Sequence, residues 1–348
     1  MQVENIHGSE KNSNAAMDFT ISLLYFVVRK IIRLLLLIGA VAILSYTLMC
    51  FSPVDPIDAY LGPAIMRISP HQREVIAQRW GLHQPPLERL TRWVHNVAQG
   101  DLGISTIYNE PVRAVIGKRF ATSSWLIAIA WTCSGVLGFS LGIVAGVHRD
   151  SLLDYSIRLY AYIVASAPTF WIGMLMLTFF SIYLGWAPIC CAWPVGSTPE
   201  EATLLQRLHH LMLPAATLTL VGIAPIALHT REKTVEAMHS DYALFARALG
   251  EREWGIAIHH ALRNLALPAI TLQFASMGEL FGGAILAEQV FAYPGLGKAT
   301  VEAGYRGDIP LLLGIALYTT IFVFIGNTLA DLIYLLIDPR MRQRRGWL

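Results

Sequence analysis

Charge is scarce in this 348-residue sequence: Asp, Glu, Lys and Arg make up 14% of it, against 55% hydrophobic residues. The net charge is only +2 and the basic residues form no stripe, so nucleic acid is not an expected partner. Cysteine is scarcer still. Cys50, Cys133, Cys190 and Cys191 make no CxxC pair and no zinc spacing, so neither a disulfide framework nor a thioredoxin-like site is implied. Cys133 reads as helix packing; Cys190 and Cys191 read either as packing or as a disulfide or metal contact on an oxidising side. A phosphate loop is missing too. Pro294-Gly295-Leu296-Gly297-Lys298 superficially suggests one, but the Walker spacing puts Ala292 where the first Gly belongs and Ala299 where Ser or Thr belongs. With no hydrolase elbow, zinc-protease helix or spaced acidic cluster, neither ATP binding nor catalysis by this chain is expected.

What the sequence does have is apolar residues in runs of about 20, the length that crosses a bilayer as a helix. The expectation is an all-α polytopic membrane protein with six spans: Leu34–Phe51, then about 121–147, 155–186, 212–230, 265–290 and 311–337. In domain terms, residues 1–28 form a polar tail and short interfacial helix, 29–51 the first transmembrane helix, and 52–119 a proline-punctuated extramembrane loop with an amphipathic helix over Gln72–Trp80. Residues 120–337 form the five-helix core, with a polar segment at 231–264, and 338–348 a second tail. Long loops cross largely regardless of charge, so the shorter segments set the orientation. Arg29, Lys30, Arg33, Arg149, Arg158, Arg231, Lys233, Arg247, Arg252, Arg263 and Arg340 to Arg345 fall on one side, and only Arg207, Lys298 and Arg306 on the other. That places both termini in the cytosol.

Inside the runs, Gly138, Gly142 and Gly146 recur every four residues, a ridge for close helix approach within the chain or with a partner. Ser166-Ala167-Pro168 marks a kink, either structural or part of a pathway. Glu279 lies mid-span, where a carboxylate either lines a pathway or ties helices together. Asn327 and Asp331, four apart, read as helix glue. His209 and His210 with Met212 are candidate metal ligands from the external side. His259 and His260 read as solvated or partner-facing. The longest charge-bearing stretch between apolar ones is Asp241–Pro268, DYALFARALGEREWGIAIHHALRNLALP, which must sit in water between two spans.

Several blocks carry a resemblance: Val54-Asp55-Pro56, WGLHQPP (Trp80–Pro86), GDLGIS (Gly100–Ser105), SAPTFW (Ser166–Trp171), Asp241–Pro268, VFAYPGLG (Val290–Gly297), RGDIP (Arg306–Pro310) and LIDPRMR (Leu336–Arg342). Together they resemble the permease subunits of bacterial dipeptide, oligopeptide and nickel ABC importers. The resemblance implies the type I importer permease (MetI-like) fold. It also implies that the stretch after the fourth span is the EAA loop, a helix, a Gly turn and a second helix that docks on an ATPase. The coupling residues would be Asp241, Phe245, Ala246, Gly250, Glu251, Trp254, Leu267 and Pro268. Leu244 and Phe245 depart from the pattern where Glu and the first Ala would stand, and Val54 where Gly is usual. HRDSLLD (His148–Asp154), Trp171–Pro188 and GELFGG lean towards the nickel branch. The implied partners are a second homologous permease, two ATPase subunits that carry ATP and Mg, an external solute-binding protein and the lipid bilayer; this chain itself binds no cofactor. The alternative is a secondary transporter or channel not driven by ATP.

Overall fold

The computed structural model describes residues 25, 27–47, 57, 69–80 and 83–337. Both tails, Cys50, Val54-Asp55-Pro56 and the end of LIDPRMR lie outside them. The helices are α1 (27–47), α2 (Pro70–Trp80), α3 (Pro86–Ala98), α4 (Val112–Val147), α5 (Leu152–Ser166), α6 (Thr169–Met176), α7 (Leu204–Met238) and α8 (Asp241–Ala248). After them come α9 (Leu262–Ala275), α10 (Met277–Val290), α11 (Leu296–Tyr305) and α12 (Ile309–Ile337). No β-strand occurs among the described residues, where Ile104 and Pro111 form an isolated bridge.

Among the described residues three helices, α4, α7 and α12, are long and apolar enough to cross a membrane, and the number rises to five where each of two bent pairs is taken as one span. In the first pair α5 meets α6 and its π-helical extension Leu177–Tyr183 at 109°. Pro168 is the cause: the residue before a proline is pushed out of the helical region, and Ala167 is extended at φ −93°, ψ 137°. In the second, the helical run Glu253–Ala275 meets α10 at 51° across Ser276. Expected span limits fall inside longer helices, most clearly for α7, which a capping box between Thr203 and Gln206 starts well before residue 212. Residues 27–47 supply a further helix, joined to α12 by an ion pair from Lys30 to Asp331. Asp331 therefore does tie helices together.

The helix expected over Gln72–Trp80 is present as α2, but α3 is the amphipathic one. Its Leu90, Trp93 and Val97 are half-buried on one face, with Glu88, Thr91, Arg92 and His95 exposed.

The glycine ridge packs within the chain. A Cβ at Gly138 would stand 2.8 Å from Ile226, and one at Gly142 2.5 Å from Thr230; one at Gly146 would overlap Thr234. Those three partners lie on α7 in the same order, so α4 and α7 run parallel in one fixed register. Two apolar cores cap this pair at opposite ends. One gathers Val115, Ile116, Leu126, Phe291, Leu296 and Leu311; the other, under α8, gathers Ile143, Met238, Ala246, Ile256 and Leu265.

Candidate functional site

The polar segment after α7 is built as a helix, a turn and a second helix. Asp241 opens α8, where a carboxylate suits the positive end of a helix. The helix stops at Gly250, whose φ of +89° is the left-handed conformation only glycine adopts without penalty. Gly250 donates its amide to the Arg247 carbonyl at 3.0 Å, and Glu251 donates to the Ala246 carbonyl at 3.1 Å, the paired bonds of a Schellman cap. Arg247 brackets the turn with two bonds to Glu253, at 2.7 and 2.8 Å, and the Glu253 carboxylate holds the guanidinium above its ordinary pKa. His260 approaches the carboxylate of Glu251 at 3.0 Å.

One face of this unit packs inward. Ala243 and Ala246 are buried against Ile143 and Met238, and Trp254 lies 5.6 Å from the His148 ring at the end of α4. Leu244, Phe245 and Leu249 point away, and Phe245 is 68% exposed. Two large apolar groups on this short helix and a third at its cap form an uncovered contact surface. Leu267 and Pro268 stand where the segment passes into the fifth span. They lie inside a helical run that begins at Glu253, so the second helix and the fifth span are one piece as far as Ala275.

At the opposite end, the turn that imitates a phosphate loop does cradle an anion, and the anion is the chain's own. Glu288, fully buried, accepts the Ser123 hydroxyl at 2.5 Å and the Lys298 amide at 3.1 Å, while Ser123 accepts the Leu296 amide at 2.7 Å. The glycines are needed for room: a Cβ at Gly295 would overlap the Glu288 carboxylate, and one at Gly297 would meet Ile285 at 2.5 Å. Sequence reasoning passed over Glu288 in favour of Glu279. The available signal was a carboxylate placed just before a glycine-rich turn.

Two more buried carboxylates were missed. Asp308 accepts the Ser105 hydroxyl at 2.6 Å and the Ile107 amide at 3.0 Å, so RGDIP and GDLGIS are the two halves of one staple. Beside it Tyr108 donates to Glu302 at 2.5 Å; burial first, and that bond second, push the phenol up to about 12. At the other end Asp154, fully buried, takes two bonds from Arg231 at 2.6 and 2.7 Å, with Arg158 at 3.2 Å. The turn in HRDSLLD serves this pair: the Asp150 amide donates to Asp154 at 3.0 Å from a left-handed residue.

Ser166 and Pro168 are exposed at the elbow between α5 and α6, and Glu279 is exposed in the first turn of α10. His209 and His210 turn ring nitrogens to the carbonyls of Trp186 and Cys190, both at 2.9 Å, and Met212 is exposed one turn on. Among the described residues no three His, Cys, Asp or Glu side chains gather as a metal site. Cys190 and Cys191 are joined in a disulfide between neighbours, and the Cys191 amide donates to Phe291 at 2.9 Å. Cys133 is free and exposed.

A family described as "Binding-protein-dependent transport system inner membrane component" matches residues 138–343. The oligopeptide transport system permease protein AppB of Bacillus subtilis is 30% identical, with 91% of this chain and 98% of that protein covered. The di/tripeptide transport system permease protein DppB of Pseudomonas aeruginosa is 31% identical, with 93% and 100% covered. The solved MetNI methionine ABC transporter shares 17% identity and a TM-score of 0.48 over 65% of this chain and 97% of its own, a likeness too loose to argue from.

Proposed function

The chain belongs to the family of binding-protein-dependent inner-membrane transport components, as a multi-pass permease subunit of an ABC importer, and on that premise we propose that its cargo is short peptides. The peptide names of the relatives support this cargo over the nickel or metal chelate suggested by HRDSLLD and GELFGG. The chain would form half of the translocation pathway beside a second, homologous permease. Two ATPase subunits carrying ATP and Mg would sit at the α8 end, and a solute-binding protein at the end held by Asp308 and Glu288. In this arrangement the termini and α8 are cytosolic, in keeping with the excess of Lys and Arg on that side.

The observation that carries the reading is the α8 unit: a capped, bracketed turn with Leu244, Phe245 and Leu249 uncovered, continuous through Glu253–Ala275 with the middle of a span. Displacement of that face by a closing ATPase pair would reach the bend at Ser276 through one helical run, biasing the spans between two arrangements. Ser166, Pro168 and the exposed side of α10 at Glu279 would line the pathway.

The test is uptake in proteoliposomes holding the whole importer. Labelled dipeptide should enter only with ATP and the ATPase subunits, and unlabelled di- or oligopeptide should compete where free or chelated nickel does not. Uptake driven by an ion gradient without ATPase would point to a secondary transporter instead.

A further inference from the structure

On α10, Phe281, Ala284, Ala287 and Glu288 are buried, where the helix packs on α4, α6, α7, α11 and α12. The residues left exposed are Glu279, Gly282, Leu286 and Gln289, at intervals of three and four, so they form one stripe along the helix. A stripe facing lipid would be apolar throughout; this one carries a carboxylate at one end and an amide at the other. Around Gly282 nothing lies within 4 Å of where a side chain would begin, so the stripe has an open shelf one turn beyond Glu279.

Glu279 itself has no hydrogen-bond or ion-pair partner among the described residues. Its place is the first turn after the bend at Ser276, inside a broken span. An unpaired carboxylate at such a depth costs on the order of 3 kcal/mol in hydrocarbon, so the group belongs in water or against a cation. An ionised carboxylate only accepts hydrogen bonds, and the ligand it selects is a donor with positive charge.

We propose that Glu279 is the specificity-determining residue that takes the α-ammonium group of a peptide during passage. The assignment rests on the peptide-permease reading above. Peptides of different sequence share that ammonium group whatever their side chains, so one fixed carboxylate beside an open glycine shelf serves them all. Leu286 and Gln289 further along the stripe make no charge demand on the rest of the cargo.

The experiment compares Glu279→Gln and Glu279→Asp with the unaltered chain, in proteoliposomes of the complete importer with its binding protein. Uptake of a free-amine dipeptide should fall roughly ten- to a hundredfold in Glu279→Gln, the size of one charge-assisted hydrogen bond, and much less in Glu279→Asp. ATP hydrolysis stimulated by loaded binding protein should persist in both. Undiminished uptake by Glu279→Gln overturns the assignment, and so does an equal loss in both variants or a loss of stimulated hydrolysis, since each of these marks a structural or gating role. Labelling of Gly282→Cys by a membrane-impermeant thiol reagent separates the two readings: labelling with undiminished Glu279→Gln uptake removes the ammonium site alone, and protection under all conditions removes the pathway as well.

Discussion

The Ser123 hydroxyl donates to the Glu288 carboxylate at 2.5 Å while accepting the Leu296 amide at 2.7 Å, so one side chain joins α4, α10 and the turn into α11. Glu288→Gln keeps the shape but sets an amide NH2 group against donors. It should cost about 1–3 kcal/mol, the penalty for a buried polar group left unmatched. Gly295→Ala pushes a methyl into the same carboxylate and should cost as much or more. Thermal unfolding in detergent reads both, and a midpoint unchanged by either variant would show that the turn does not depend on the cradle.

The pair of Asp154 and Arg231 is a second buried junction, between α5 and α7. Breaking it with Asp154→Ala leaves Arg231 without its bidentate partner, and a loss of about 3–5 kcal/mol is expected. Asp154→Asn, which keeps the size and an acceptor, should lose less. A double variant with Arg231→Met should recover part of the loss in a denaturation series; additive losses would argue against a direct pair.

On the α4 ridge, Gly142→Val inserts a branched side chain where Thr230 already stands 2.5 Å from the first added atom. Overpacking of this kind costs about 1–3 kcal/mol or more. Gly117→Ala, on the same helix with nothing within 4 Å, is the control and should be neutral.

If the α8 unit docks an ATPase as proposed, Gly250→Pro or reversal of the charges at Glu251 and Glu253 should uncouple ATP hydrolysis from uptake while leaving membrane insertion intact. Phe245→Ala should weaken ATPase association with little change in the stability of the permease alone, because its ring is mostly exposed. Co-purification and vesicle uptake measure the two effects separately. Full uptake by a well-folded Gly250→Pro variant would refute the docking role.

The phenol of Tyr108 is raised to about 12 from 10.0. A proton held more tightly in the fold stabilises below the unfolded value and is lost to the structure as pH rises through the folded one. The contact with Glu302 should therefore be constant up to about pH 10 and disappear towards 12. An ultraviolet titration of Tyr108→Phe against the unaltered chain should show one late-ionising phenol missing.

The spans were legible because hydrocarbon imposes its length on sequence, and the bend at Pro168 because proline imposes its geometry on Ala167. Gly250 was placed at a turn by the family resemblance alone, and it stops α8 in the left-handed conformation that glycine adopts most easily. The buried carboxylates Glu288, Asp308 and Asp154 were not legible. Each is satisfied by donors far off in the chain, and nothing local separates such a carboxylate from one that faces solvent. Glu279, the mid-span acid the sequence favoured, turned out to be the exposed one. The spacing of the PGLGK turn does not fit a nucleotide loop, yet its amides do what glycine-rich turns do, with a carboxylate supplied from within.

The cradle at Glu288 also has a place in time. Its two side-chain partners are 165 residues apart in the chain, and at the usual pace of about 5–20 residues per second Ser123 leaves the ribosome roughly ten to thirty seconds before Glu288 does. Late in that interval, once α7 has been made, one half of α4 can settle against it along its glycines, while the other half waits in the bilayer with a hydroxyl unspent. The permease is thus closed at one end before it can be closed at the other, and the last segments made are the ones that seal it.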